Sequence, residues 1–181
     1  MFRKKLLLSA VLICSLVGMA AARRPSNRPS PPPPPAPPGP TIVDVAIAVN
    51  EELGIFNTLI AALLCADPLV LDTLAGNGQF TVFAPTDDAF AELGLDPESV
   101  CEIDSKTLTD ILLYHVARGR RLSEDVLGSS RIRMLKGGFL MQDGGVLTDA
   151  LGREASIIVV DVEAANGVIH VIDRVVLPYA P

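Results

Sequence analysis

Ten of the 15 prolines fall between Pro25 and Pro40, with an unbroken run from Pro31 to Pro35. A stretch so rich in fixed φ angles, and so poor in N–H donors, can build neither a helix nor a sheet. It extends as polyproline II at about 3.1 Å per residue, so residues 23–40 read as a stiff linker spanning roughly 50 Å. A proline-recognition domain is the other partner such a run suits, but that use conflicts with the export signal described next. At Thr41 the composition changes abruptly and hydrophobic periodicity begins. The fold is therefore expected in residues 41–178.

Residues 1–22 read as a secretory signal peptide. Arg3, Lys4 and Lys5 form a positive start, Leu6 to Val17 an apolar stretch, and Gly18 to Ala22 a small-residue exit. An apolar stretch this short falls well below the roughly 20 residues of a membrane-spanning helix, so the mature chain is expected to carry no membrane span. An uncleaved anchor is the alternative, with Arg23-Arg24 as its stop. Cys14 lacks the small residue that precedes a lipid-modified cysteine and is not read as a lipid site.

Charge narrows the partners. All 21 carboxylates lie beyond residue 40, together with 9 of the 15 basic groups, so residues 41–181 carry a net charge of −12. Such a surface repels phosphate backbones, which argues against nucleic acid and against an anionic membrane, and favours a basic or neutral partner. Tryptophan is absent and there are only 2 tyrosines, so a sugar platform of exposed aromatic rings is not expected.

The periodicity points to an α+β domain. Phe56, Leu59, Ile60, Leu63 and Leu64 follow the spacing of a helix with one buried face. Asp67-Pro68 caps a second helix, with Leu71 and Leu74 facing inward and Gly76 closing it. Leu108, Ile111, Leu112 and His115 mark a third, capped by Asp104 or Ser105. Residues 79–84 form a strongly apolar strand that Pro85 ends, and Thr86 caps a following turn whose Asp87 and Asp88 suit a helix N-terminus. Short runs separated by glycine turns between Arg131 and Val160 predict a meander, and Asn166-Gly167 predicts a hairpin. Helices come first and mostly antiparallel strands follow.

Catalytic patterns are missing. The sequence contains no phosphate-cradling glycine loop, no calcium loop, no HExxH pair and no nucleophile elbow, and its only histidines are His115 and His170. No cofactor or metal is expected. Asp87-Asp88 reads as a cap with dipole-favoured charges rather than an acid/base pair. Once residues 1–22 are removed, Cys65 and Cys101 remain, and two thiols in an exported domain favour one disulfide over two free buried thiols.

Three motifs carry a resemblance. Residues 80–90, Phe-Thr-Val-Phe-Ala-Pro-Thr-Asp-Asp-Ala-Phe, resemble the first signature of the fasciclin (FAS1) domain. Leu112-Leu113-Tyr114-His115-Val116 resembles the central Tyr-His motif of that family. Residues 166–173, running on to Val176-Leu177-Pro178, resemble its second signature. The resemblance implies a FAS1 fold, a bent β-sandwich or wedge of mainly antiparallel strands packed with several helices. It also implies a secreted or surface-displayed module for cell adhesion or extracellular matrix interaction, without catalysis, whose partner is an extracellular or cell-surface protein or a matrix polymer. Phe80, Phe83, Pro85, Thr86, Asp87, Tyr114, His115 and His170 are then structural. Phe80 and Phe83 fill the core, while Thr86 or Asp87 is the expected partner of His115. Asp110-Ile111 resembles an integrin-contacting pair of animal members, with Ile111 facing in and Asp110 out. Two rival readings remain: an extracellular hydrolase using Asp87, Asp88 and His115, and an envelope protein without a discrete ligand.

Overall fold

The structure, a computed structural model, describes residues 39–178; the predicted signal peptide, and the linker up to residue 38, lie outside them. The described chain opens with a helix that the periodicity reading did not identify, α1 (Ile42–Leu53). Thr41 Oγ1 accepts from the Asp44 N–H and Asp44 Oδ2 accepts from the Thr41 N–H, a reciprocal cap, and Gly54 ends the helix at φ 65°. Then follow α2 (Asn57–Cys65), α3 (Pro68–Ala75), β1 (Phe80–Pro85), α4 (Asp87–Ala91), a 3₁₀ turn (Ser99–Glu102) and α5 (Ser105–Tyr114). The remainder is β2 (Val116–Arg118), α6 (Ser123–Leu127), β3 (Arg131–Arg133), β4 (Phe139–Asp143), β5 (Val146–Thr148), β6 (Glu154–Ala164) and β7 (Gly167–Ile172). Asp67, Thr86 and Asp104 cap their helices through side-chain oxygens, as their positions before α3, α4 and α5 predict.

The strands form one sheet in the order β2-β1-β7-β6-β5-β4-β3. All neighbours are antiparallel except β1 and β7, which run parallel from Phe80 beside Gly167 to Pro85 beside Ile172. The 11-residue β6 belongs to both halves: Glu154–Ser156 pairs with β5, and Ile157–Ala164 pairs with β7. Register shifts within β6 bend the sheet between the halves. A bridge between Ala117 and Met134 draws its two ends together, so the sheet nearly closes. This is the expected α+β wedge.

Strand alternation divides the interior. Val82, Ala84, Ile169 and Val171 point toward the helices, against Phe56, Leu59, Leu63 and Leu108. Phe83 and Ile172 point the other way, into the wedge, among Tyr114, Ile132, Leu140 and Leu147. β1 and β7 are thus buried on both faces, which explains their continuous apolar character. Each large side chain so buried contributes about 1.5–3 kcal/mol.

Three local expectations need correction. Leu64 is 71% exposed, and the inward face of α2 is Thr58, Leu59, Ala62 and Leu63. Phe80, expected in the core, is only half-buried at the start of β1. The loop of the last hairpin is Ala165-Asn166, so Gly167 is the first residue of β7 rather than part of the turn. Gly167 is required by proximity: a Cβ there would collide with the Phe80 carbonyl oxygen and lie 2.7 Å from Ile42 Cδ1. Asn166, also buried, accepts from the Ile42 N–H through Oδ1 and donates through Nδ2 to the carbonyls of Leu74 and Gly76. It fastens α1 and the end of α3 to the sheet.

Candidate functional site

Most polar residues of the three motifs meet backbone. Asp87 does not reach His115. Its carboxylate accepts from the N–H groups of Thr58 at 2.7 Å and Asn57 at 3.2 Å, and from Asn57 Nδ2 at 2.9 Å. It thereby caps α2 from a distance of 30 residues in the chain, supplying the acceptor that Phe56, at the head of that helix, lacks. Thr86 Oγ1 accepts from the Ala89 N–H and caps α4. Neither residue is the partner expected for His115.

His115 follows the last turn of α5 and is 3% exposed. Its Nδ1–H donates to the Ile111 carbonyl at 2.8 Å, and its Nε2 accepts from the Val176 N–H at 3.1 Å. Both bonds suit the neutral ring. Burial drives its pKa from 6.5 down to about 4, against the opposing pull of the Ile111 carbonyl. The neighbouring Tyr114 is buried too; its hydroxyl donates to the Phe139 carbonyl at 3.0 Å, and burial pushes the phenol up.

His170 is fully buried and stacks on Phe83 with ring centroids 5.7 Å apart. Nε2–H donates to the Arg121 carbonyl at 2.9 Å, while Nδ1 accepts from the Asp161 N–H at 3.3 Å. Asp161 occupies one of the irregular positions of β6 with φ 58°, the left-handed region. From there its carboxylate accepts from the Ser123 N–H at 2.7 Å and the Ser123 hydroxyl at 2.5 Å, and the hydroxyl bond holds its pKa below the usual carboxylate range.

Sequence reasoning missed a second anchor. Asp149, read only as part of a turn, is buried and receives Arg153 through Nε at 2.9 Å and Nη2 at 2.8 Å, together with the Leu177 N–H at 3.0 Å. Burial alone would raise its pKa, yet these donors and the Leu151 N–H hold it below the ordinary value. Arg153 also donates to the Val175 carbonyl. His115, Asp149 and Arg153 together fix the segment Val175–Leu177 across the wedge. The Asp149–Arg153 spacing of four residues around a turn was the available signal, and only folding reveals what that pair grips.

Asp110 is not outward either. It is 8% exposed, bound by Lys136 and, at 3.6 Å, by Lys106; Ile111 beside it is partly buried. An exposed Asp-Ile contact pair is therefore not what this surface presents. Cys65 and Cys101 form a disulfide that joins the end of α2 to the 3₁₀ turn, with Cα atoms 5.4 Å apart. Among the described residues no hydrogen bond joins Asp87 or Asp88 to His115, no cluster of three or more His, Cys, Asp or Glu could hold a metal ion, and no single helix is long and apolar enough to cross a membrane.

Comparisons with known proteins agree with this arrangement. Protein sll1483 of Synechocystis is 44% identical over 143 residues, covering 76% of this chain and 73% of its own. Cell surface glycolipoprotein MPB83 of Mycobacterium bovis is 30% identical over 165 residues, covering 91% of this chain and 73% of its own. Among solved structures, a FAS1 domain pair from the insect cell adhesion molecule Fasciclin I superposes with a TM-score of 0.55 at 21% identity. That match covers 69% of this chain and 46% of the pair, so this chain spans under half of that molecule, and the likeness is one of fold. The fasciclin domain model matches residues 54–178, most of the chain and all three motifs, and the chain belongs to the fasciclin domain family.

Proposed function

We propose that this protein is a non-catalytic binding module, secreted or displayed at the cell surface, that adheres to an extracellular protein or matrix polymer. In this reading residues 1–22 direct export and residues 23–40 hold the domain away from its point of attachment. The family supports an adhesion-type extracellular module, and the cell-surface relative supports the location. One observation carries the reading. Both histidines, the side chains best suited to acid/base chemistry, are committed to backbone groups inside the fold, and the part-buried Asp87 is engaged by three donors at the head of α2. A general base must have a nitrogen or oxygen within reach of a substrate proton, and neither buried ring offers one. The hydrolase alternative would need them released.

A single domain offers one modest face, so adhesion should depend on display density, where effective concentration compensates for weak affinity. Beads coated with the protein at graded density are tested for attachment to the producing cells and their matrix. Attachment is expected to rise steeply with density and to fall as salt exceeds roughly 0.15 M. Absence of attachment at every density, accompanied by turnover of a small ester or glycoside, would replace this reading with the enzymatic one.

A further inference from the structure

Charge on this domain is not evenly mixed. Six of the nine basic residues beyond residue 40 fall between Arg118 and Lys136, in a domain whose net charge is −12. Folding gathers four of them, Arg118, Arg121, Arg133 and Lys136, around one open hollow of about 610 Å³. Lys136 is neutralised by Asp110. Arg118, Arg121 and Arg133 have no carboxylate partner among the described residues. Arg121 adds a second sign: its Nε–H is buried and donates to nothing there. A buried donor without an acceptor is costly, so an arriving anion that supplies one is favoured.

The basic hollow adjoins a second one of about 430 Å³, and the two share Arg118 and Leu135. The second is mostly apolar, lined by Leu69, Phe80, Leu113 and Leu135. Leu69 is 66% exposed, an apolar side chain left uncovered. Asp67 also lines this hollow, so an anion is repelled there and drawn to the arginines.

The basic segment is held in place rather than loose. Thr81 Oγ1 donates to the Gly119 carbonyl and accepts from the Arg121 N–H; His170 Nε2–H donates to the Arg121 carbonyl; Asp161 holds Ser123. On the other side the Leu135 and Lys136 N–H groups donate to the carbonyls of Val116 and Leu113. A backbone held in this way needs no ordering when an anion arrives; only the arginine side chains do.

We propose that these adjoining hollows dock an acidic peptide segment of a partner protein. Its carboxylates pair with Arg118, Arg121 and Arg133, and one bulky apolar side chain enters the hollow between Leu69 and Leu113. The proposal rests on the adhesion reading and names the chemistry of its partner. Guanidinium groups pair carboxylates in two-point geometry, and arginine beside an apolar pocket is a recurrent composition of protein interfaces. A sulfated polysaccharide would satisfy the arginines but leave the apolar hollow empty. The chain's own residues 1–38 carry six basic groups and no carboxylate, so they are not the occupant.

A random-peptide phage library selected on the immobilised protein tests this. Enriched peptides should combine Asp or Glu with a Leu, Ile or Phe. A resynthesised winner should bind about tenfold more weakly to the Arg118→Glu/Arg133→Glu protein, and severalfold more weakly to Leu69→Ser. All three changed residues are exposed, so the unfolding midpoint should stay where it is. Failure to enrich, enrichment without acidic residues, or binding indifferent to the double charge reversal overturns the proposal. So does full displacement by heparin together with indifference to Leu69→Ser, which would describe a plain anion-exchange surface. Beads coated with the same variants separate the two readings. Attachment unchanged by charge reversal removes this site and leaves the adhesion reading intact; peptide binding without any attachment to cells or matrix does the reverse.

Discussion

His115→Ala should change two separate things: the stability at neutral pH and its dependence on acid. At about pH 7 the substitution strands the buried Val176 N–H, whose acceptor was His115 Nε2. An orphaned buried donor costs about 1–3 kcal/mol. The effect of acid follows from linkage. His115 is neutral in the folded protein, with a pKa lowered to about 4 by burial, whereas in the unfolded chain it titrates near 6.5. Between those values the unfolded state binds a proton that the folded state refuses, so stability is fully present above 6.5 and drains away as the pH falls toward 4. Integration gives a loss of about 2 kcal/mol by pH 5 and about 3 by pH 4. The alanine variant has no such proton to bind. The gap between the two proteins should therefore shrink by about that amount on acidification, which is read as a difference of midpoints. Urea unfolding followed by far-ultraviolet circular dichroism, at steps from about pH 7.5 to about pH 4.5, measures both curves. Carboxylates such as Asp149 and Asp161, also held below their usual range, lose their contribution at lower pH and cancel in the difference. A gap that stays constant across the series would mean that His115 is protonated freely within the fold, and the sealed, backbone-committed ring would be refuted.

The remaining expectations test the frame around it. The Cys65–Cys101 bond spans a sequence separation of 36 residues, and the chain-entropy account gives it about 3–4 kcal/mol, so dithiothreitol should lower the urea midpoint; alkylation without reductant should find both cysteines blocked, and stoichiometric labelling of both would contradict the bond. Asp87→Ala removes the acceptor for three donors at the head of α2 and should cost about 1–3 kcal/mol, while Asp88→Ala next to it should cost under about 0.5; equal effects would show that local charge matters rather than the cap. Gly167→Ala drives a methyl group into the Phe80 backbone and should destabilise by about 2–4 kcal/mol in the same assay, and a neutral result would mean β1 and β7 can separate at no cost.

What was legible in the sequence follows the distance over which each contact acts. Asp104 before α5, Thr86 before α4 and Asp67 before α3 are local chemistry, and each stands where its helix begins. The meander was legible because its turns carry glycine at close intervals. α1 escaped because its cap uses Asp44 where the usual pattern has Glu or Gln, and only Ile42 and Ala46 are deeply buried on its face. The partner of His115 lies 61 residues away and the ligands of Asp87 lie 29 and 30 residues back, separations for which periodicity carries no information. Asn166-Gly167 marked the hairpin correctly for a reason that does not operate here. Neither residue has a positive φ; the asparagine is used as a three-bond clamp and the glycine as a gap.

The same distinction explains why the acidic total concealed a basic face. Net charge sums over a chain and discards position, whereas a field at a surface depends on which charges are near and which are cancelled. Here Asp110 cancels Lys136 and Glu163 cancels Arg120, Arg131 lies over the Phe139 ring, and the uncancelled cations around the hollow are Arg118, Arg121 and Arg133. Their placement depends on the interior. The Arg121 backbone is gripped by Thr81 from β1 and His170 from β7, the two strands buried on both faces. The signature histidine is therefore a positioning residue for a surface segment 49 residues earlier in the chain. Core and surface are coupled through the Arg121 peptide groups, and a domain whose motif histidines face backbone can still be specific at its surface, because the backbone that His170 faces is the backbone that carries a charge.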